Sequence, residues 1–339
     1  VSQAIPPHPY DALTPDTVLD AVDSVAEVSG ARSDGRLLAL NSYENRVYQV
    51  GMEDAQPLVV KFYRPGRWSD EAIREEHDFT EALWQQEIPV VAPLRDRDGN
   101  SLFEHAGFRF ALYPRRGGRT PDLEDLDSLF WMGRFLGRIH ALGAARPFAH
   151  RPSINLETFG YEPFRYLMAT DFIPADLREA YRTLVEDVLQ QVAAGFERAG
   201  VDAGNVAQIR LHGDCHPGNI LWTDDGPHFV DFDDARMGPA VQDLWMLLSG
   251  ERAQMTAQLD EVLSGYTEFM DFNPRELQLI EPLRTLRMIH YSAWLARRWD
   301  DPSFPRNFPW FAEPRYWEEQ ILSLREQAAL MNEPPLQWM

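Results

Sequence analysis

The chain carries one cysteine, Cys215, in 339 residues. A lone thiol cannot close an internal disulfide, so a disulfide-stapled secreted scaffold is excluded and a reducing compartment suits the sequence. No run approaches the roughly 20 consecutive apolar residues that a bilayer-spanning helix needs. The N-terminal VSQAIPPHPYDALTPD has no basic flank followed by an apolar stretch, so no signal peptide is expected. Positive charge is also scarce: 32 Lys and Arg face 53 Asp and Glu, for a net charge of -21. Nucleic acids and anionic membranes are bound by clustered basic residues, so neither is an expected partner. A cytoplasmic, soluble protein is the expectation. The acidic balance would draw in a cationic substrate, although solubility alone accounts for it as well.

What is present is the composition of an ordinary folded protein, 44% hydrophobic and 25% charged. The length permits two lobes. After a Pro-rich start (Pro6, Pro7, Pro9), expected to be a loose arm, Thr14-Pro15 reads as an N-cap followed by proline at the first helical position. Residues 37–114 then read β-β-α-β-β: LLALNSYENRVYQV as strand, turn and strand, PLVVKFYRP as a strand, 69–86 as a helix capped by Ser69, and two strands at 101–108 and 109–114. From Leu123 the spacing is helical over 123–142, 175–198, 239–249, 253–270, 274–299 and 314–330. One β-rich island, NILWTDDGPHFVDF at 219–232, reads as a hairpin turning on Asp225-Gly226. The expected fold class is therefore α+β, with an N-terminal β-rich lobe over residues 1–115 and a helical lobe with one hairpin over 116–339. The glycine-rich YPRRGGR marks the boundary.

The segment LHGDCHPGNILWTDDGPHFVDFDDA, 211–235, concentrates the candidate chemistry. Asp214 and Asn219 lie on one loop, and the hairpin returns Asp231 at the end of a strand. Phosphoryl transfer needs a carboxylate to orient and deprotonate a hydroxyl, and hard oxygen ligands to hold Mg²⁺ against nucleotide phosphates. In that scheme Asp214 is the base, and Asn219 and Asp231 are the metal ligands. Lys61 sits mid-strand between Val60 and Phe62 and projects from the face opposite to theirs. An ammonium in an apolar strand needs an anion, and a nucleotide phosphate is a fitting one.

HGDCHPGNILW and FVDFDDA resemble the catalytic segment of the aminoglycoside phosphotransferase/choline kinase-like family, which has the two-lobe protein-kinase-like fold. LLALNSYENRVYQV, VVKFYRP, PRNFPW and EPPLQ are similar to its bacterial stress response kinase A branch. The resemblance runs from about Thr14 to Gln337. It implies an ATP- and Mg²⁺-dependent Ser/Thr protein kinase that phosphorylates itself and other proteins in a stress response. It also implies an ion pair from Lys61 to Glu76, with Glu75 as the fallback, a phosphate-facing turn 42–45 with Ser42 at the site, and adenine pairing along Ala111–Pro114, where Tyr113 lies. That turn departs from the Gly-x-Gly-x-x-Gly loop of ordinary protein kinases.

Around this centre His212 and His216 are expected to order the loop by hydrogen bonds rather than to ligate a metal. Asp233 is a second possible metal contact, Asp234 and Arg236 a local ion pair, and Asp243 a brace for the catalytic loop. Gly133 and Gly137 permit close helix packing, and His140 is structural. Cys215, next to the base, would be an oxidative off-switch if oxidants reached it. The aromatic C-terminal region is expected to pack helices rather than to form a ligand cage. The alternative activity is a small-molecule kinase acting on an aminoglycoside, amino alcohol or sugar hydroxyl. No activation segment ends in Ala-Pro-Glu, which fits that branch. A catalytically dead binding protein is the third reading, opposed by the joint presence of Lys61, Asp214, Asn219 and Asp231.

Overall fold

Thr14 opens the first helix as its spacing predicts: its hydroxyl accepts the Thr17 N–H at 3.2 Å, and Pro15 occupies the first turn, where no amide hydrogen is required. The computed structural model describes residues 9–338. Pro6 and Pro7 of the expected arm lie outside the described residues, and Pro9 begins a 3-10 turn, Pro9–Ala12. The chain divides into two compact units, one comprising the residues up to Arg119 with Leu221–Asp233, the other Thr120–Ile220 with Asp234–Met339.

In the first unit α1 (Pro15–Ser24) and the short α2 (Ala26–Ser29) precede β1 (Ser33–Ala39), β2 (Arg46–Met52) and β3 (Ala55–Phe62). Then come α3 (Asp70–Gln85), β4 (Phe103–His105) and β5 (Phe108–Pro114). The strands form one antiparallel sheet in the order β1-β2-β3-β5-β4. The period-two pattern sorts β3 between two faces. Val60 and Phe62 join Phe110, Leu112, Val18 and Val22 in one core, while Tyr63 and Ala111 meet Ile73 of α3 in another. Ser69 caps α3 by accepting the Ala72 N–H at 3.2 Å. β4 is shorter than the sequence pattern suggests, because Ala106 and Gly107 both take positive φ (49° and 79°) and turn the hairpin there.

The helical unit contains α4 (Leu126–Gly143), α5 (Glu162–Met168), α6 (Arg178–Ala199) and the short β6 (Ile209–Leu211). The hairpin β7 (Ile220–Thr223) and β8 (Gly226–Phe229) follows, turning before Gly226 at φ 102°. Next are β9 (Arg236–Gly238), α7 (Val241–Trp245), α8 (Arg252–Tyr266), α9 (Ile280–Arg297), α10 (Ser303–Asn307) and α11 (Pro314–Leu330). β6 pairs with β9. α4 packs on α8 at backbone contact: a Cβ on Gly133 would fall 2.0 Å from the Val262 carbonyl oxygen, and one on Gly137 2.5 Å from that of Tyr266.

Three features differ from the sequence pattern. The hairpin groups with the sheet unit rather than with the helices, tied by backbone bonds from Phe229 to Pro89 (2.8 Å) and between Arg119 and Trp222 (2.7 and 2.9 Å). The expected helix 274–299 splits into a 3-10 run, Pro274–Leu279, and α9, because Pro282 has no N–H to bond back four residues and is tolerated only in a first turn. The expected helix 239–249 contracts to the five residues of α7.

Candidate active site

Lys61 emerges one residue before the end of β3, opposite Ala111 of β5 and Val47 of β2, with 6% of its surface exposed. Its Nζ lies 3.1 Å from Asp231 Oδ1 and 3.2 Å from Asp233 Oδ1. Burial alone would depress the ammonium. The carboxylates of Asp231, Asp233 and Glu76 outweigh burial and hold the Lys61 pKa well above the ordinary lysine range, so it is charged at any physiological pH. Glu76, buried in α3, therefore reaches Lys61 by its field, while the close contacts go to the two aspartates.

Those aspartates have different surroundings. The Asp231 side chain is 52% exposed and follows β8 at φ 60°, a left-handed conformation that strains a non-glycine residue. Asp233 is 4% exposed, and its second oxygen is taken by the Arg67 guanidinium. With a cation on each oxygen it has the surroundings of an internal anchor.

Arg67 also reaches Glu44 Oε2 at 3.6 Å. Arg64 pairs with Glu44 Oε1 at 3.0 Å and donates its backbone N–H to Asn45 Oδ1 at 3.0 Å. The glycine-free turn 42–45 is thus shaped by side chains, and within it the Ser42 hydroxyl donates to the Asn45 carbonyl at 3.2 Å. The Tyr113 hydroxyl stands 3.0 Å from Tyr63 and 3.4 Å from His77, and burial raises its pKa. The backbone of Tyr113 lies opposite Val59 in the β3–β5 ladder.

In the helical unit the loop after β6 is held from below. The buried Asp243 carboxylate accepts the N–H groups of His212 (2.8 Å) and Gly213 (2.9 Å), and bonds His140 Nε2 at 3.0 Å. His140 Nδ1 meets the Tyr266 hydroxyl at 3.1 Å. His140 and Asp243 are therefore structural supports for the loop. Gly213 makes its sharp turn at φ 87°, where a Cβ would sit 2.2 Å from the Asp234 carbonyl. His216 Nδ1 accepts the Gly218 N–H at 3.0 Å, an ordering contact.

On this loop Asp214 Oδ1 is 2.5 Å from Arg287 Nη1 of α9, and its Oδ2 is 3.6 Å from His216 Nε2. Asn219 donates its Nδ2 to the Asp214 carbonyl at 2.9 Å, a contact that does not use its amide oxygen. Asp231 keeps Oδ2 clear of the Lys61 contact. An amide oxygen and an exposed carboxylate oxygen are hard donors of the kind Mg²⁺ takes, the rest of its shell being water and phosphate, so each residue is chemically suited to that metal.

Cys215 is fully buried, and burial, reinforced by Asp243 and Asp214, pushes its thiol well above the usual range. Those are the attributes of an inert packing cysteine and tell against an oxidative switch. The C-terminal aromatics pack helices: Phe304, Phe311 and Trp317 are fully buried, with Trp294 at 5.0 Å from Phe304. Asp234 and Arg236 form their local ion pair at 2.5 Å. The sequence did not single out Arg67 or Arg287. Arg287 meets its partner across 73 positions, a distance at which spacing carries no signal.

Residues 36–280 match the phosphotransferase enzyme family (APH). Stress response kinase A of Escherichia coli is 46% identical over 97% of this chain and 96% of its own length. The serine/threonine protein kinase RdoA of Salmonella typhimurium is 45% identical over the same shares. Among solved structures, amicoumacin kinase hAmiN in complex with AMP-PNP, Ca²⁺ and Ami shares the fold at a TM-score of 0.64 and 17% identity, covering 89% of this chain and 92% of its own. A family match over most of the chain, with near-half identity along almost all of it, makes this chain a member of the phosphotransferase enzyme family and, within it, of the stress response kinase A family.

Proposed function

We propose that this kinase transfers the γ-phosphoryl group of ATP to serine and threonine hydroxyls of proteins, its own included, with Asp214 as the base. The observation that carries the reading is the permanently charged Lys61 ammonium beside the half-exposed Asp231. This pairs a cation suited to nucleotide phosphates with a carboxylate suited to their metal. The acceptor class is supported by the serine/threonine kinase that is 45% identical over almost the whole chain.

In the transfer, the acceptor O–H bond breaks and its proton passes to Asp214 Oδ2, the oxygen not held by Arg287. The acceptor oxygen bonds to the γ-phosphorus as the bond to the bridging oxygen breaks, and ADP leaves. Asn219 through its amide oxygen and Asp231 through its outer oxygen would hold Mg²⁺, which supplies neutralisation of the phosphate charge when bound. Lys61 binds the phosphates, Glu76 adds its field to Lys61, Ser42 and its turn face the phosphates, and the backbone around Tyr113 pairs with adenine. None of the described helices is long and apolar enough to cross a membrane, and the net charge of -21 disfavours nucleic acid and anionic membranes. We assign the protein to the cytoplasm, as part of a stress response.

The test is incubation with labelled ATP and Mg²⁺ beside Asp214→Ala, read by intact-protein mass spectrometry. Label on Ser or Thr of the wild type alone is the expected result, with ATP affinity retained in the variant. ATP consumption only when an amino alcohol or aminoglycoside is added would replace this reading with a small-molecule kinase.

A further inference from the structure

The acidic chain as a whole favours cations, yet at the proposed base the carboxylate is already paired with a cation. Arg287 places a guanidinium nitrogen 2.5 Å from Asp214 Oδ1, and His216 Nε2 stands 3.6 Å from Oδ2. The Arg287 side chain is 38% exposed and that of Asp214 22%, so the pair is open to an arriving acceptor and not sealed in the core. The α7 carboxylate that holds this loop, Asp243, is fully buried and occupied by two backbone N–H groups and His140. The two helices that bear on the loop therefore offer a bound carboxylate and an accessible cation.

α9 fixes that cation in place. Leu283, Leu286 and Ile289 are buried on its inner side, so the backbone that carries Arg287 is anchored on both sides of it. The guanidinium nitrogen engages Oδ1 alone, a charge-assisted contact that restrains the carboxylate and leaves Oδ2 clear of Arg287.

An amino alcohol or aminoglycoside carries an ammonium a few ångströms from its reacting hydroxyl. At the base it would meet no net negative charge, because Asp214 is already neutralised, and it would face the Arg287 guanidinium. Like charges juxtaposed in a partly buried site are strongly disfavoured. A serine or threonine in a peptide has no such charge, and a neighbouring Asp or Glu would gain from the same guanidinium. We propose that Arg287 is the acceptor-selectivity residue of this kinase: it holds the base, admits hydroxyls in neutral or acidic surroundings, and turns away those flanked by ammonium groups.

This rests on the reading of Asp214 as the base, and the experiment separates the two. Three serine peptides, identical except for acidic, neutral or lysine neighbours, are compared as acceptors for the wild type, Arg287→Gln and Arg287→Lys. Mg²⁺·ATP affinity is measured in parallel. For the wild type, kcat/KM should be highest with acidic neighbours. Arg287→Gln should shift the acidic-to-lysine preference by about tenfold or more toward lysine, chiefly through KM, at unchanged ATP affinity. Arg287→Lys, which restores the charge, should restore the preference. Equal loss of activity on all three peptides, with no change in their ratio, would reduce Arg287 to a structural role and overturn the proposal. A wild type that phosphorylates no peptide and does not label itself would instead remove the protein-kinase reading beneath it.

Discussion

Asp231 and Asp233 are the same residue type two positions apart, and their surroundings give them different work. Asp231 is half-exposed, with one oxygen free of Lys61; Asp233 is buried, with Lys61 and Arg67 on its two oxygens. Removing one partner from a buried charge cluster leaves the others uncompensated, at a cost of about 3–5 kcal/mol. Asp233→Asn should therefore lower stability by about that much in urea titrations. Asp231→Asn should change stability by less than about 1 kcal/mol and weaken Mg²⁺·ATP binding in calorimetry by tenfold or more. The opposite pattern would exchange the two assignments. The sequence marked both aspartates as candidates, but it is burial that separates the anchored carboxylate from the open one. Lys61 was legible more sharply than its strand position suggests: it is the only lysine in the chain, and every other Lys-or-Arg position is arginine. A compact ammonium is thus present only where this phosphate site is proposed. Arg67 and Arg287, among many arginines, had no such mark.

At the scale of elements, the short α7 matters more than its length suggests, because it carries Asp243 and so sets the loop that bears Asp214. Its start is held by Glu276, whose carboxylate accepts the Val241 N–H at 2.9 Å. Burial raises the Glu276 pKa to about 7 from an ordinary 4.5, with the backbone bonds to Val241 and Ala240 opposing. A carboxyl that holds its proton more tightly when folded contributes stability that is full below about pH 4.5 and is lost as pH rises through about 7. The gap corresponds to at most about 3 kcal/mol. Glu276→Gln keeps an oxygen for the Val241 N–H and cannot ionise, so its urea stability should fall less than that of the wild type between pH 5 and pH 8. Identical slopes would show that Glu276 does not titrate abnormally. α7 was only half visible in the sequence, which extends it to residue 249. Long amphipathic helices such as α3, α4, α6 and α11 could be read from spacing and caps to within a few residues. α5, α10 and the β6–β9 pair could not, because runs of three to seven residues are too short for a period to show, and their form is set by what packs on them. The hairpin was legible as a hairpin, but its allegiance to the sheet unit depends on backbone bonds to Pro89 and Arg119 that no local pattern announces.

For the whole molecule the governing quantity is the net charge of -21, and two effects of salt compete over it. Screening weakens exposed ion pairs, such as those of Arg182 with Glu179 and Glu186 or of Arg315 with Glu319. Each of these contributes little, since both partners already sit in water. Screening also relieves repulsion among the excess carboxylates, a long-range sum that grows with the net charge and falls away once the Debye length drops to about 10 Å at 0.1 M salt. The excess is large and the pairs are weak, so repulsion should win. The thermal midpoint at pH 7.5 should rise by roughly 2–4 °C between 10 mM and 200 mM sodium chloride, equivalent to about 1 kcal/mol for a unit of 150–250 residues. The buried cluster of Lys61, Asp233 and Arg67 is shielded from solvent ions and contributes little to the change. A midpoint that falls with salt would mean that the surface pairs act as a cooperative network. The acidic excess would then stabilise the fold through its arginine partners instead of straining it.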